Sequence, residues 1–423
     1  MDKSNQEYPL GTIAGFAELV AADVKQMALS DVMTTEEMDE ILPKAQEIAG
    51  RYGVSLYREN ALIKTDLFPK DVAEGKEVLL IYKGATINAY HDLKKTQQSG
   101  KLSSEEVARR FGRLLSYPPH KLNDLFAEQT DFRAMTHFGI QATNVFLYYR
   151  DLAAAKTFYN TTLGLEIVAD YGFAATIRLA PHAYAILVDE SIGMHSADEP
   201  KTVAIALLTD ELPQWYAYLQ EQNVPIKYSY KPREGGPHDG FVAIDPEGYL
   251  LEFEEFKQHP ENEKFMPLLR QYQPLNKVGN GAGPEKTFYA AITWMYYKDM
   301  LQTQQFYEEK IGLRQIVDQG WAKIYQASPT GYIGLVDERR GMHTFSQDKA
   351  VNVSFFLEDV EGWFAYAQDK KPFELRSVDL EVGPEGKYKA FVGFDPGGYY
   401  LEFDQFYEHI DNQKLLMQLG QEK

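Results

Sequence analysis

The chain has 423 residues, 44% hydrophobic and 25% charged, ordinary proportions for a water-soluble protein but too long for one core. A net charge of −19 argues against nucleic acid and anionic membrane as partners, because phosphate binding needs a basic surface. The absence of cysteine excludes disulfides, thiolate metal sites and a cysteine nucleophile; with no apolar signal core and no membrane-length apolar run, the chain reads as cytoplasmic.

Residues 1–135 read as a helix-rich α+β domain with a small sheet. An amphipathic helix is expected over 9–30 and a second over 35–53, where Thr34 and Glu37 have capping-box spacing. Apolar runs follow at 61–68 and 77–82, then Gly84 and a helix over 86–95. A further helix opens at Ser103 and stops at Pro118-Pro119; its Arg109, Arg110 and Arg113 suit a solvated or inter-domain face. From 136 to 258 two βαβββ modules are expected in succession. The first has strand 143–149, helix 151–163 ended by Gly164, then strands near 165–171, 174–180 and 183–189. The second has strand 202–209, helix 211–222, then strands near 225–230, 240–244 and 249–255. A polar linker is expected over 259–284, carrying GNGAGP, followed by a second such domain over 285–410 and a tail over 411–423.

That second domain restates the first. Tyr148, Tyr149 and Asp151 return 148 positions on as Tyr296, Tyr297 and Asp299, and Phe158, Tyr159 and Gly164 return as Phe306, Tyr307 and Gly312. Gly193-Met194-His195 returns as Gly341-Met342-His343, and Asp245-Pro246 with Glu252 as Asp395-Pro396 with Glu402. Spacing held over this length means duplicated structure.

Strand–Asp-Leu–helix with FYxxxLGL, closed by DPxGxxLEF, resembles the glyoxalase / bleomycin-resistance / extradiol dioxygenase (vicinal oxygen chelate) superfamily. The N-terminal domain resembles no family. The resemblance implies two domains, each curling an eight-stranded sheet into a cup, that pair with each other within the chain. It also implies four cup-facing positions per domain, usually His/Gln and Glu, that hold a divalent ion. Counting from the motifs, these fall on Asn144, Ile186, Ala204 and Glu252, and on Ile292, Gly334, Asn352 and Glu402. Each cup is thus expected to keep one glutamate and one amide. A lone carboxylate and a neutral amide make a poor trap for ions that favour imidazole or thiolate.

The expected function is therefore metal-independent binding of a small molecule, with no cofactor, as in the bleomycin-resistance branch. The candidate ligand-binding residues are Asn144, Phe146, Tyr148, Glu252, Trp294, Tyr296, Asn352 and Glu402. His195 and His343, read as the only repeating histidines, join them from the loop between modules. Glu252 and Glu402, facing aromatic walls, are the candidate acid/base groups and the anchors of any atypical ion site. Two other readings stand beside this one. One is a lyase, isomerase or dioxygenase with an ion at Glu252/Asn144 or Glu402/Asn352. The other is a scaffold whose cups are filled by Phe146, Trp294 and Tyr296.

Overall fold

The computed structural model describes residues 3–67, 74–279 and 283–421. It divides into two compact units, Met1–Arg133 and Ala134–Lys423. Residues 280–282 of GNGAGP, and residue 68 of the first apolar run, lie outside the described residues.

The first unit is a three-stranded sheet with helices on both faces. Its elements are α1 (Lys3–Ala21), β1 (Met27–Leu29), α2 (Thr35–Tyr52), β2 (Ser55–Glu59), β3 (Val78–Tyr82), α3 (Thr86–Gln98), α4 (Ser104–Leu114) and α5 (Pro119–Gln129), with strand order β1-β3-β2. Leu79 and Ile81 of the central strand pack with Ile13, Ala17, Met38 and Ile41. Leu80, between them, packs on the opposite face with Tyr90, Val107 and Phe111. A strand covered on both sides has no polar alternation to show, hence the unbroken VLLIY run. The helix expected over 9–30 ends early, because Met27 and Ala28 face opposite cores, a two-residue alternation that only a strand provides. Thr34 and Glu37 form the expected capping box. Arg109 does not lie on a solvated face; it is 3% exposed, donates to Glu105 and Asn123, and lies over the rings of Phe126 and Phe132.

The second unit holds both repeats. The first runs β4 (Ile140–Tyr149), α6 (Leu152–Thr157), β5 (Glu166–Asp170), β6 (Ala174–Ala180), β7 (Ala183–Asp189), β8 (Val203–Leu208), α7 (Leu212–Glu221), β9 (Ile226–Tyr228), β10 (His238–Ile244), β11 (Leu250–Phe256) and the short α8 (Met266–Leu269). The second runs β12 (Ala290–Tyr297), α9 (Met300–Phe306), β13 (Arg314–Asp318), β14 (Ala322–Gln326), β15 (Gly331–Asp337), β16 (Val351–Leu357), α10 (Val360–Lys370), β17 (Glu381–Val382), β18 (Tyr388–Phe394), β19 (Tyr400–Phe406) and α11 (Gln413–Gln421). Asp151, Asp299 and Asp359 each cap the helix that follows, accepting a backbone N–H at 2.8–3.0 Å.

The expectation that each repeat closes its own cup is corrected by the strand order. One eight-stranded sheet runs β17-β18-β19-β16-β4-β7-β6-β5, and the other β13-β14-β15-β12-β8-β11-β10-β9. Each cup therefore joins the first module of one repeat to the second module of the other. The seams are the antiparallel pairs β4–β16, with Asn144 opposite Ser354, and β8–β12, with Ala206 opposite Ile292. The first cup is the one containing β4; the second contains β12.

The repeated DPxG motif locks this arrangement. Asp245 accepts the N–H groups of Glu247, Gly248 and Tyr249 and the hydroxyls of Tyr149 (2.6 Å) and Tyr159 (3.1 Å). Asp395 accepts from Gly397, Tyr399, Tyr297 and Tyr307 in the same way. Gly248 and Gly398 have φ of 103° and 77°, which a side chain would strain. Tyr249 then donates to the Ala350 carbonyl and Tyr399 to the Thr202 carbonyl, both at 2.6 Å, so each repeat is hydrogen-bonded into the other.

The region expected as a plain linker is partly built. After β11 and β19 the chain makes the same short turn and helix, 150 positions apart. Asn262 and Asn412, both fully buried, each donate to two backbone carbonyls, and His259 and His409 each accept the N–H two residues on. His195 and His343 are therefore not the only repeating histidines. The helices floor the cups. Leu415 and Leu419 pack with Val168, Tyr184 and Phe356 in the first, and Phe265 and Leu269 with Phe256 and Tyr332 in the second.

Candidate functional site

Each cup encloses a cavity, of about 150 Å³ in the first and about 100 Å³ in the second. Every residue lining the second cavity has its repeat counterpart lining the first. Tyr148 matches Tyr296, Val188 matches Val336, Met194 matches Met342, Glu402 matches Glu252 and Phe406 matches Phe256. The walls have nevertheless diverged. Phe146, Tyr171, Phe173, Ile192, Tyr388 and Asp404 of the first cavity are Trp294, Gln319, Trp321, Arg340, His238 and Glu254 in the second.

One exchange is a packing compensation. Phe146 lies opposite Ile186 across β4–β7, and Trp294 opposite Gly334 across β12–β15. A Cβ on Gly334 would sit 2.0 Å from the Trp294 ring, so the larger indole occupies the room the missing side chain leaves.

Of the expected ligand-binding residues, Phe146, Tyr148 and Glu402 line the first cavity, and Trp294, Tyr296 and Glu252 the second. Asn144, Asn352, His195 and His343 stand behind these walls. The two histidines meet Tyr148 and Tyr296 edge-on at 5.2 and 5.1 Å, while Gly193, Met194, Gly341 and Met342 of the same loops face the cavities. Burial lowers the pKa of both rings, that of His343 to about 4, although the Glu199 carboxylate 2.7 Å from His195 opposes the shift.

The expected pairing of Glu252 with Asn144 is corrected, since the two lie on different sheets. The first cup holds Asn144, Asn352 and Glu402, and Asn352 donates to Glu402 at 2.6 Å. Asn144 is 1% exposed and neither of its amide atoms has a hydrogen-bond partner. The second cup is left with Glu252 alone, beside Ile292, Gly334 and Ala204 at the other three positions.

Both glutamates are driven toward the neutral form. Burial, with Asp404 adding repulsion, lifts Glu402 well above the carboxylate range. Burial also lifts Asp404 to about 7, against the hydrogen bond donated by Ser354 at 2.5 Å. Glu252 rises to about 8, through burial first and then the Glu254 charge. His238, 2.6 Å from Glu254, is raised to about 9 by that carboxylate and is a cation at neutral pH.

The ion implied by the resemblance does not fit these residues. One buried glutamate and two amides, or one glutamate and three apolar positions, offer neither imidazole nor thiolate. Among the described residues no group of three or more His, Cys, Asp or Glu is arranged to hold a metal.

The sequence reading missed His238, Glu254, Asp404, Arg340 and Ile192. Glu254 and Asp404 were visible as the second polar residue of LEFEEF and LEFDQF, two positions from each candidate glutamate and so on the same strand face.

Residues 137–253 match the model of the Glyoxalase/Bleomycin resistance protein/Dioxygenase superfamily. No curated protein matches the chain. Among solved structures, glyoxalase I from Zea mays is 15% identical over 68% of this chain and 98% of its own, with a TM-score of 0.46. A glyoxalase/bleomycin resistance protein/dioxygenase from Alicyclobacillus acidocaldarius is 21% identical over 27% of this chain and 90% of its own, with a TM-score of 0.22. The cppA protein from Streptococcus pneumoniae TIGR4 is 12% identical over 63% of this chain and 98% of its own, with a TM-score of 0.35.

Proposed function

We propose that the two cups of this glyoxalase-superfamily fold bind small molecules without a metal ion. One observation carries the reading: two cavities lined by equivalent positions, each retaining its glutamate while the other three chelating positions hold only amides, apolar side chains or glycine. Had the cups become scaffolding, their interiors would be expected to fill; Phe146, Trp294 and Tyr296 instead line open space. A 150 Å³ cavity is about the size that admits one benzene ring, which sets the scale of the ligand group buried there. Glu252 favours a second reading for its own cup. It is only partly buried, lines the cavity and holds its proton near neutral pH, which suits metal-free acid/base chemistry.

The test is a thermal-shift screen of the full chain against a metabolite library, before and after exhaustive chelation. Ligands that bind the folded state raise the melting temperature, and the proposal expects the same hits after chelation. Hits that vanish with chelator, or a stoichiometric ion lost in Glu252→Ala or Glu402→Ala, would overturn it.

A further inference from the structure

Resting on the reading that the cups bind ligands, we propose that the first cup takes a small organic cation, an ammonium group on a compact apolar body, and that the second cup excludes it. Three acidic side chains, Glu381, Glu402 and Asp404, line the first cavity, and no basic side chain does; Glu402 and Asp404, held toward the neutral form by burial, ionise as a cation arrives. The rest of its wall is aromatic and aliphatic, with Phe146, Tyr148, Phe173 and Tyr388 offering rings whose negative faces attract a desolvated cation.

The nearest cations stand outside the lining: Arg376 lies over the Tyr400 ring at 5.2 Å and offsets only part of the rise in the Glu402 pKa, and Lys387 pairs with Asp411 at 2.5 Å and reaches the Tyr171 ring at 5.9 Å. An independent sign of a missing partner is Asn144. Its fully unpaired amide is buried on the same strand face as Phe146 and Tyr148. An inorganic ion suits the site less well, because an aromatic wall cannot replace its hydration shell and the carboxylates form no metal-holding group.

The second cavity supplies the internal contrast. At the equivalent positions it replaces Tyr388 with His238 and Ile192 with Arg340, so two cations already line the cavity, His238 paired with Glu254. Arg340 also lies over the Trp321 ring at 5.1 Å, the place a ligand cation would take.

Calorimetric titration of the full chain tests this with choline, tetramethylammonium and benzylammonium, against 3,3-dimethylbutan-1-ol, the uncharged isostere of choline. At least one amine is expected to bind at about one equivalent, with the isostere roughly tenfold or more weaker. Ile192→Arg, at a side chain 62% exposed and so harmless to folding, should abolish amine binding at unchanged melting temperature. Arg340→Ile with His238→Tyr, which removes both cations from the second cup, should add a second equivalent. Failure of all three amines at millimolar concentration overturns the inference, as does binding that survives Ile192→Arg or a divalent ion that displaces the amine stoichiometrically. An isostere binding as tightly as choline also sinks it, while leaving metal-free binding intact; only the chelation screen decides that broader reading.

Discussion

Where the first cup sets Tyr388 across from the strand of Asp404, the second sets His238, ion-paired to Glu254 at 2.6 Å; where Ile192 projects at the rim of one, Arg340 stands at the rim of the other. Behind these walls the two cups keep the same Asp–Tyr–Tyr lock and the same floor helix, and in the walls the same glutamate. Duplication has thus preserved what closes each sheet and released part of what faces the cavity. Lining residues that differ while keeping the same place are where the two cups would differ in ligand preference.

The comparison is broken most severely at the floors. Phe265→Ala and Leu415→Ala empty equivalent buried sites, and each should cost roughly 2–5 kcal/mol of stability by chemical denaturation. A large loss at one floor with none at the other would mean that the helices are not equivalent closures.

Next in size is the Trp294–Gly334 exchange. Gly334→Ala should destabilise by about 1–3 kcal/mol, since its Cβ meets the indole. Trp294→Phe with Gly334→Ile rebuilds the first cup's Phe146–Ile186 pair and should recover most of that loss. A double variant no better than Gly334→Ala would refute the compensation.

Smaller still is the pH response. Asp404, held near 7 by burial, has a folded pKa above its unfolded value. Its stabilising proton is fully present below about pH 4 and is lost as pH rises through 7. The melting temperature should therefore fall between pH 5 and 8, and Asp404→Asn should flatten part of that fall. In the second cup Glu252, raised to about 8, acts with the same sign, and so does His238, whose contribution persists to about pH 9. Parallel pH curves for Asp404→Asn, Glu252→Gln and the parent chain would contradict this.

Most of the second unit was legible as local pattern. Strand alternation, the Asp caps and the Gly164 stop lie in short windows, and β6 and β7 fall where the alternation puts them. Strand partners were not legible. Both repeats offer the same edges, so pairing β4 with β16 or with β8 satisfies the same alternation, and only the three-dimensional closure chooses. That choice moved Asn144 away from Glu252 and into the cup of Glu402. The floors were readable in principle from Phe256, His259, Asn262 and Lys264 returning as Phe406, His409, Asn412 and Lys414. A polar stretch between two domains has the composition of a connector, which conceals them. In the first unit, Arg109 misled because a charge near two other arginines reads as solvated until Glu105 and Asn123 are seen to enclose it.

Metal content beside ligand binding bears most directly on the account. The full chain, purified without chelators, is to be assayed for bound ions and titrated with its best stabilising ligand before and after dialysis against chelator. The account predicts less than about a tenth of an equivalent of any ion and one unchanged affinity. A stoichiometric ion whose removal abolishes binding would contradict it.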